Sequence, residues 1–91
     1  MTIYMVIIGE YYYDGLNRAI DNRTIRSAYT NEDAAKKAVA CWRELYKDRK
    51  LSTDGEFTWF KDNSIEHYCF ILKVDAKHLF EGEEDLYLIQ G

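Results

Sequence analysis

The sequence predicts an α+β fold, with one mostly antiparallel sheet of four to five strands packed on a single main helix. The expected order is β-β-α-β-β-short helix-β. Three observations carry this. Thr30 to Lys50 has apolar residues at helical spacing, Thr2 to Ile8 is a nearly continuous β-branched apolar run, and Ile65 to Val74 is a second long run that follows a turn. With 91 residues, the chain is expected to form one domain over 1–91, too small for separate cofactor and substrate domains. A chain that is 47% hydrophobic and 15% aromatic is not read as disordered, because enough surface can be buried to offset the entropy of ordering.

The first run, TIYMVII, ends at Gly9 and suits a strand buried on both faces at the centre of the sheet. Alternation puts Ile3, Met5 and Ile7 on one face and Tyr4, Val6 and Ile8 on the other. One helix covers one face, so the second must be closed by loops, by another chain, or left for a partner. Glu10 to Asp14 reads EYYYD, and neighbouring residues on a strand point opposite ways, so at least one of Tyr11, Tyr12 and Tyr13 should be exposed. Asp14 to Arg23 is polar and lacks a period, which predicts a connection or a short helical turn. Thr24 to Tyr29 is expected to be the second strand, feeding directly into the helix.

The helix starts at Thr30 or Asn31, either of which can cap, with Asp33 at the acidic position of a capping box. Glu32 and Asp33 face the positive end of the helix dipole, and Lys47, Arg49 and Lys50 fall near the negative end. Two rows, Ala34, Ala38, Cys41, Leu45 and Ala35, Val39, Trp42, Tyr46, form a broad apolar stripe, with Lys36, Lys37, Arg43 and Lys47 opposite. Leu51 to Gly55 then reads as a turn-rich connection, Glu56 to Lys61 as a short aromatic strand, and Asp62 to Ser64 as a hairpin turn into Ile65 to Val74. Tyr68, Phe70, Leu72 and Val74 share one apolar row. Asp75 to Leu79 is expected as a short helix, Phe80 to Asp85 as an acidic loop, and Leu86 to Ile89 as a last strand.

Gly9, Glu10 and Tyr11 after an opening strand, and Ala28, Tyr29, Thr30, Glu32 and Ala34 where a strand enters a Thr-capped helix, resemble small uncharacterised bacteriophage accessory proteins. The resemblance covers about the first half of the chain and rests on structural motifs. It implies a phage-like accessory protein and carries over no catalytic residue. The Asp14 to Arg23 insertion departs from the shorter pattern.

Tests for chemistry give bland answers. Cys41 and Cys69 lie on regular elements, which reads as small buried hydrophobes and not as a disulfide framework. His67 and Cys69 would share one strand face, a thin basis for a metal, so none is assigned. Five scattered glycines make no phosphate loop, and the run Glu81, Glu83, Glu84, Asp85 reads as solvated surface. No catalytic residue and no cofactor are assigned. No stretch reaches the roughly 18 apolar residues of a membrane-spanning helix and no signal peptide is visible, so a cytoplasmic protein is expected.

Charge gives the remaining clue. Residues 31–50 hold six Lys/Arg against four Asp/Glu, while residues 75–91 hold one Lys against five Asp/Glu, within a net charge of -4. A pI near 5.1 disfavours direct nucleic-acid binding. Acid with surplus tyrosine suits a basic, nucleic-acid-handling bacterial protein as partner, with a homodimer as a further option. The expectation is a non-enzymatic phage-type inhibitor of a bacterial defence protein, of the anti-CRISPR or anti-restriction class. Its expected partner-binding residues are Tyr11, Tyr12, Tyr13, Asp14, Glu81, Glu83, Glu84 and Asp85. The alternative is a small-ligand-binding or regulatory sensor domain with a pocket beneath Tyr11 to Tyr13 or Trp59.

Overall fold

The computed structural model describes residues 1–75. The strands are β1 (Thr2–Tyr13), β2 (Ala19–Tyr29), β3 (Ser52–Asp54), β4 (Phe57–Asp62) and β5 (Ile65–Asp75), and one helix, α1 (Glu32–Leu45), follows β2. They form a single antiparallel sheet in the order β2-β1-β5-β4-β3, so the α+β class holds, with β1 and β5 both interior. The expected short helix and last strand lie outside the described residues, except that Asp75 ends β5.

The first hairpin is longer than the sequence suggested. β1 does not stop at Gly9 but runs on to Tyr13, and β2 begins at Ala19, so most of the expected connection is strand. The turn is built by Asp14, whose carboxylate accepts the Leu16 and Arg18 N–H groups at 2.8 and 3.0 Å, with Asn17 at φ 61. Asp21, Asn22 and Arg23 hid the strand because both of its faces are exposed there and no apolar alternation is required. Further along, Val6 pairs with Ser27 but Ile7 with Ile25, a bulge at Arg26 that bends the hairpin. In the second hairpin, Asn63 and Ser64 carry φ of 50 and 70, the mirror-image turn that matches strand twist. The connection expected over Leu51 to Gly55 contains β3, paired to β4.

Asn31 is the helix cap, its side chain accepting the Asp33 and Ala34 N–H groups at 2.8 and 3.3 Å. Glu32 in the first turn bridges Lys36 of the helix and Lys73 of β5, each at 3.3 Å, and Lys36 first and Lys73 second hold its carboxyl below the usual carboxylate range. The helix ends at Leu45 and not at Lys50, with the Tyr46 N–H turned back to the Arg43 and Glu44 carbonyls.

The apolar stripe is narrower than its two predicted rows. Ala35, Val39 and Trp42 are buried against Val6, Phe60 and Cys69, whereas Cys41 and Leu45 are exposed. Cys41 is therefore a surface thiol and not a core residue. A short helix on a flat sheet contacts it along one row, and Cys41 and Leu45 sit about a third of a turn off it. Arg43, placed by the pattern on the solvent side, lies instead over the sheet, donating through Nε to the buried Thr58 hydroxyl at 2.7 Å. The other sheet face carries Ile3, Met5 and Ile7, packed with Ile25, Phe70 and Val74.

Truncating Trp42, 4% exposed, to Ala should lower stability by about 3–5 kcal/mol, while Leu45→Ala, at a site 65% exposed, should change it little. Denaturant melts of the two variants check this. Burial pushes the Cys69 thiol up from 9.0 to about 11, so between those values the unfolded chain releases a proton that the folded chain keeps. The unfolded state binds fewer protons there, and stability should fall as pH rises through that window, less steeply in Cys69→Ala. At neutral pH, a thiol reagent should label Cys41 in the native protein and Cys69 only after unfolding.

Candidate functional site

Alternation along β1 separates the three tyrosines. Tyr11 and Tyr13 point away from the helix, their rings 5.9 Å apart edge to face, with the Tyr11 hydroxyl 3.4 Å from that of Tyr13. Tyr12 is on the helix side of the sheet, opposite Ile20 of β2. Tyr13 is 64% exposed, and Tyr11 is half-buried. Asp14 is engaged within its own turn. Besides the two N–H groups, it receives Arg18 Nε at 2.9 Å, and the Arg18 and Leu16 N–H bonds hold its carboxyl below the ordinary range.

A larger aromatic surface lies beside Tyr11 and is organised by Gly9. Tyr68 of β5 is directly opposite Gly9, and its ring lies flat across β1 where any other residue would project a side chain. A Cβ at Gly9 would overlap that ring and sit 2.8 Å from the Asn22 carbonyl oxygen. Because the strand is bare there, the Tyr68 hydroxyl reaches past β1 and donates to Asp21 of β2. Burial first, and then that bond, raise the Tyr68 hydroxyl above the ordinary phenol value. Arg23 Nε also donates to Asp21, at 3.1 Å, and its guanidinium lies over the rings of Tyr68 and Phe70 at 5.7 and 5.5 Å.

Phe57 of β4 extends the cluster. Its ring stacks on Tyr68 at 5.6 Å and 16°, with Trp59 at 5.4 Å and Phe70 at 5.6 Å on other sides. Phe57 is itself 38% exposed. A shallow depression of about 290 Å3 joins Tyr11, Asp21, Arg23, Phe57, Glu66 and Tyr68 into one surface. The sequence named Tyr11, Tyr12, Tyr13 and Asp14, and the structure sets Gly9, Asp21, Arg23 and Phe57 beside Tyr11, none of which the sequence placed there. The available signal was register: once the hairpin is extended, Tyr11 pairs with Asp21, Gly9 with Arg23, and both lie beside Tyr68.

No protein-family model, curated protein sequence or solved structure matches this chain.

The remaining expected site residues, Glu81, Glu83, Glu84 and Asp85, lie outside the described residues. His67 and Cys69 do share the helix-side face, with Cys69 fully buried and the His67 imidazole stacked on Phe60 at 4.9 Å. Among the described residues no three His, Cys, Asp or Glu side chains converge as a metal site would require. No described helix is long and apolar enough to cross a membrane. The aromatic surface presents the outer faces of Tyr11 and Phe57, the Glu66 carboxylate, and a guanidinium fixed by stacking and by its bond to Asp21.

Replacing Gly9 by Ala should destabilise the protein by about 1–3 kcal/mol through overpacking, because the obstacle includes the Asn22 backbone as well as the Tyr68 ring. In a Tyr68→Ala background, itself destabilised by loss of a buried ring, the Gly9→Ala step should cost less than in the unaltered protein but still more than zero, because the Asn22 backbone remains in the way. Thermal melts of the single and double variants measure this.

Proposed function

We propose that the chain is a non-enzymatic binding protein that docks a basic, nucleic-acid-handling bacterial protein on the aromatic end of the sheet face opposite α1, as an inhibitor of the anti-CRISPR or anti-restriction class. The observation that carries the reading is the surface of Tyr11 and Phe57, floored by the buried Tyr68 ring, with Asp21, Arg23 and Glu66 beside it. Stiff aromatic side chains give large contact area at low entropy, and they dominate the energetics of protein interfaces. Carboxylates beside exposed rings suit Lys and Arg of the partner, through ion pairs and cation–π contacts. The net charge of -4 adds long-range attraction to a basic surface and repels free nucleic acid. The phage-like pattern of the first half agrees with an accessory role in a bacterial host.

Expression of the chain in bacteria that carry a restriction or CRISPR system should restore plating of a sensitive phage. Purified chain should also bind the corresponding nuclease complex. Phe57→Ala and Tyr11→Ala should each weaken that binding by roughly 2 kcal/mol, as expected of interface anchors, while Leu45→Ala on the opposite side leaves it unchanged. Unchanged plating in every host, or binding indifferent to Phe57 and Tyr11, overturns the reading.

A further inference from the structure

The helix side of the sheet carries a second concavity, distinct from the aromatic surface. α1 spans about 21 Å and β1 about 40 Å at their standard rises, so the hairpin projects beyond the end of the helix. In the corner between them is a groove of about 330 Å3. Its helix wall is Trp42 and Tyr46, rings 5.0 Å apart, with Tyr46 also against Phe60 at 4.9 Å. Its sheet wall brings together Glu10, Asn22, Thr24 and His67, which alternation places on one face of three adjacent strands. The His67 imidazole, backed by Phe60, holds Nδ1 3.8 Å from the Glu10 carboxylate.

We propose that this groove binds a planar nitrogen heterocycle, uncharged or cationic, of the size of a nucleobase or nucleoside. Its volume is at the low end for small-molecule pockets, which run from about 300 to 1,000 Å3, and suits one or two fused rings with a small substituent. The aromatic wall offers a stacking face, and Tyr46 is held by Trp42 and Phe60, so little side-chain freedom is lost on binding. Asn22 presents both a donor and an acceptor, the pairing that matches the mixed edge of a base, and Thr24 and His67 add further hydrogen-bonding groups. Glu10 selects against anions. It contributes the formal negative charge of the lining, where no Lys or Arg is present to hold a phosphate. The proposal does not depend on the aromatic surface of the other face.

The test is a titration of amide NMR spectra with free bases and nucleosides, alongside their 5′-monophosphates, using the full chain. Adenine, cytosine or a related nucleoside should shift the amides of Ile8 to Glu10, Asn22 to Thr24 and His67. The matching monophosphate should bind at least tenfold more weakly. Asn22→Ala, an exposed position, should weaken heterocycle binding about tenfold with an unchanged melting temperature. Absence of shifts at these amides with every base and nucleoside overturns the proposal. So does affinity unaltered by Asn22→Ala, or a monophosphate that binds as well as its nucleoside.

Discussion

Among the described residues one helix, shorter than the strands it covers, packs on a five-stranded sheet, and the other features of residues 1–75 follow from how far along the sheet it reaches. Where α1 does cover the sheet, the arrangement is conventional. Ala35 and Val39 let the helix approach Val6 and Cys69 closely, and Trp42 fills the wider gap towards Phe60. Arg43, Glu32 and Arg49 then tie the helix and its exit to β4, β5 and Asp62. Of these polar ties, the bond from Arg43 to Thr58 matters most, because the Thr58 hydroxyl is fully buried and would otherwise lack a partner. The exposed ion pairs add little by comparison.

On the face that α1 does not cover, side chains of the sheet protect one another. On the open face, Ile3, Met5 and Ile7 are crowded by Ile25, Phe70 and Val74. At the other end of the same face, rings do this work by lying down. Tyr68 folds over Gly9, Phe57 lies on Tyr68, and Arg23 covers both Tyr68 and Phe70 with its guanidinium plane. Each ring buries part of its neighbour, so Tyr68 is only 5% exposed while Phe57 keeps an accessible outer side. The exposed aromatic surface and the packing of this part of the sheet are therefore made by the same set of residues, and Gly9 is what allows the set to exist.

The parts legible in the sequence were those in which a residue's neighbours along the chain decide its state. The faces of β1, the cap near Asn31, the Asp62 to Ser64 turn and the divergence of Tyr11 from Tyr12 all follow from local spacing. The parts that were not legible depend on partners distant in sequence. Gly9 resembled a strand terminator because the reason for its bareness, Tyr68, is far along the chain, and Asp21 and Arg23 resembled loop because their partners are on β5. Cys41 and Leu45 had the right spacing for a core stripe, yet the contact of one helix with one sheet is a single row wide. For the same reason, composition identified a tyrosine-rich surface but could not add Phe57, whose outward direction depends on its pairing with Asp54 and on the strand beyond.

The two concave surfaces lie back to back on the same ladder. Consecutive residues supply opposite sides: Glu10 and Tyr11, Asn22 with Asp21 or Arg23, and His67 with Glu66 or Tyr68. Hydrogen-bonded pairing keeps these residues in fixed register, so neither surface can be reshaped by moving its strands without disturbing the other. Side chains can still be separated, because each projects to one side. Tyr11 and Phe57 belong to the open face, and Asn22 and Tyr46 to the groove. Gly9 and Tyr68 belong to both, since both line the groove and the missing side chain of Gly9 makes room for the Tyr68 ring on the other face. A loss of function at Gly9 would thus be uninformative about which surface acts, whereas the outward side chains on either side assign a function to one face.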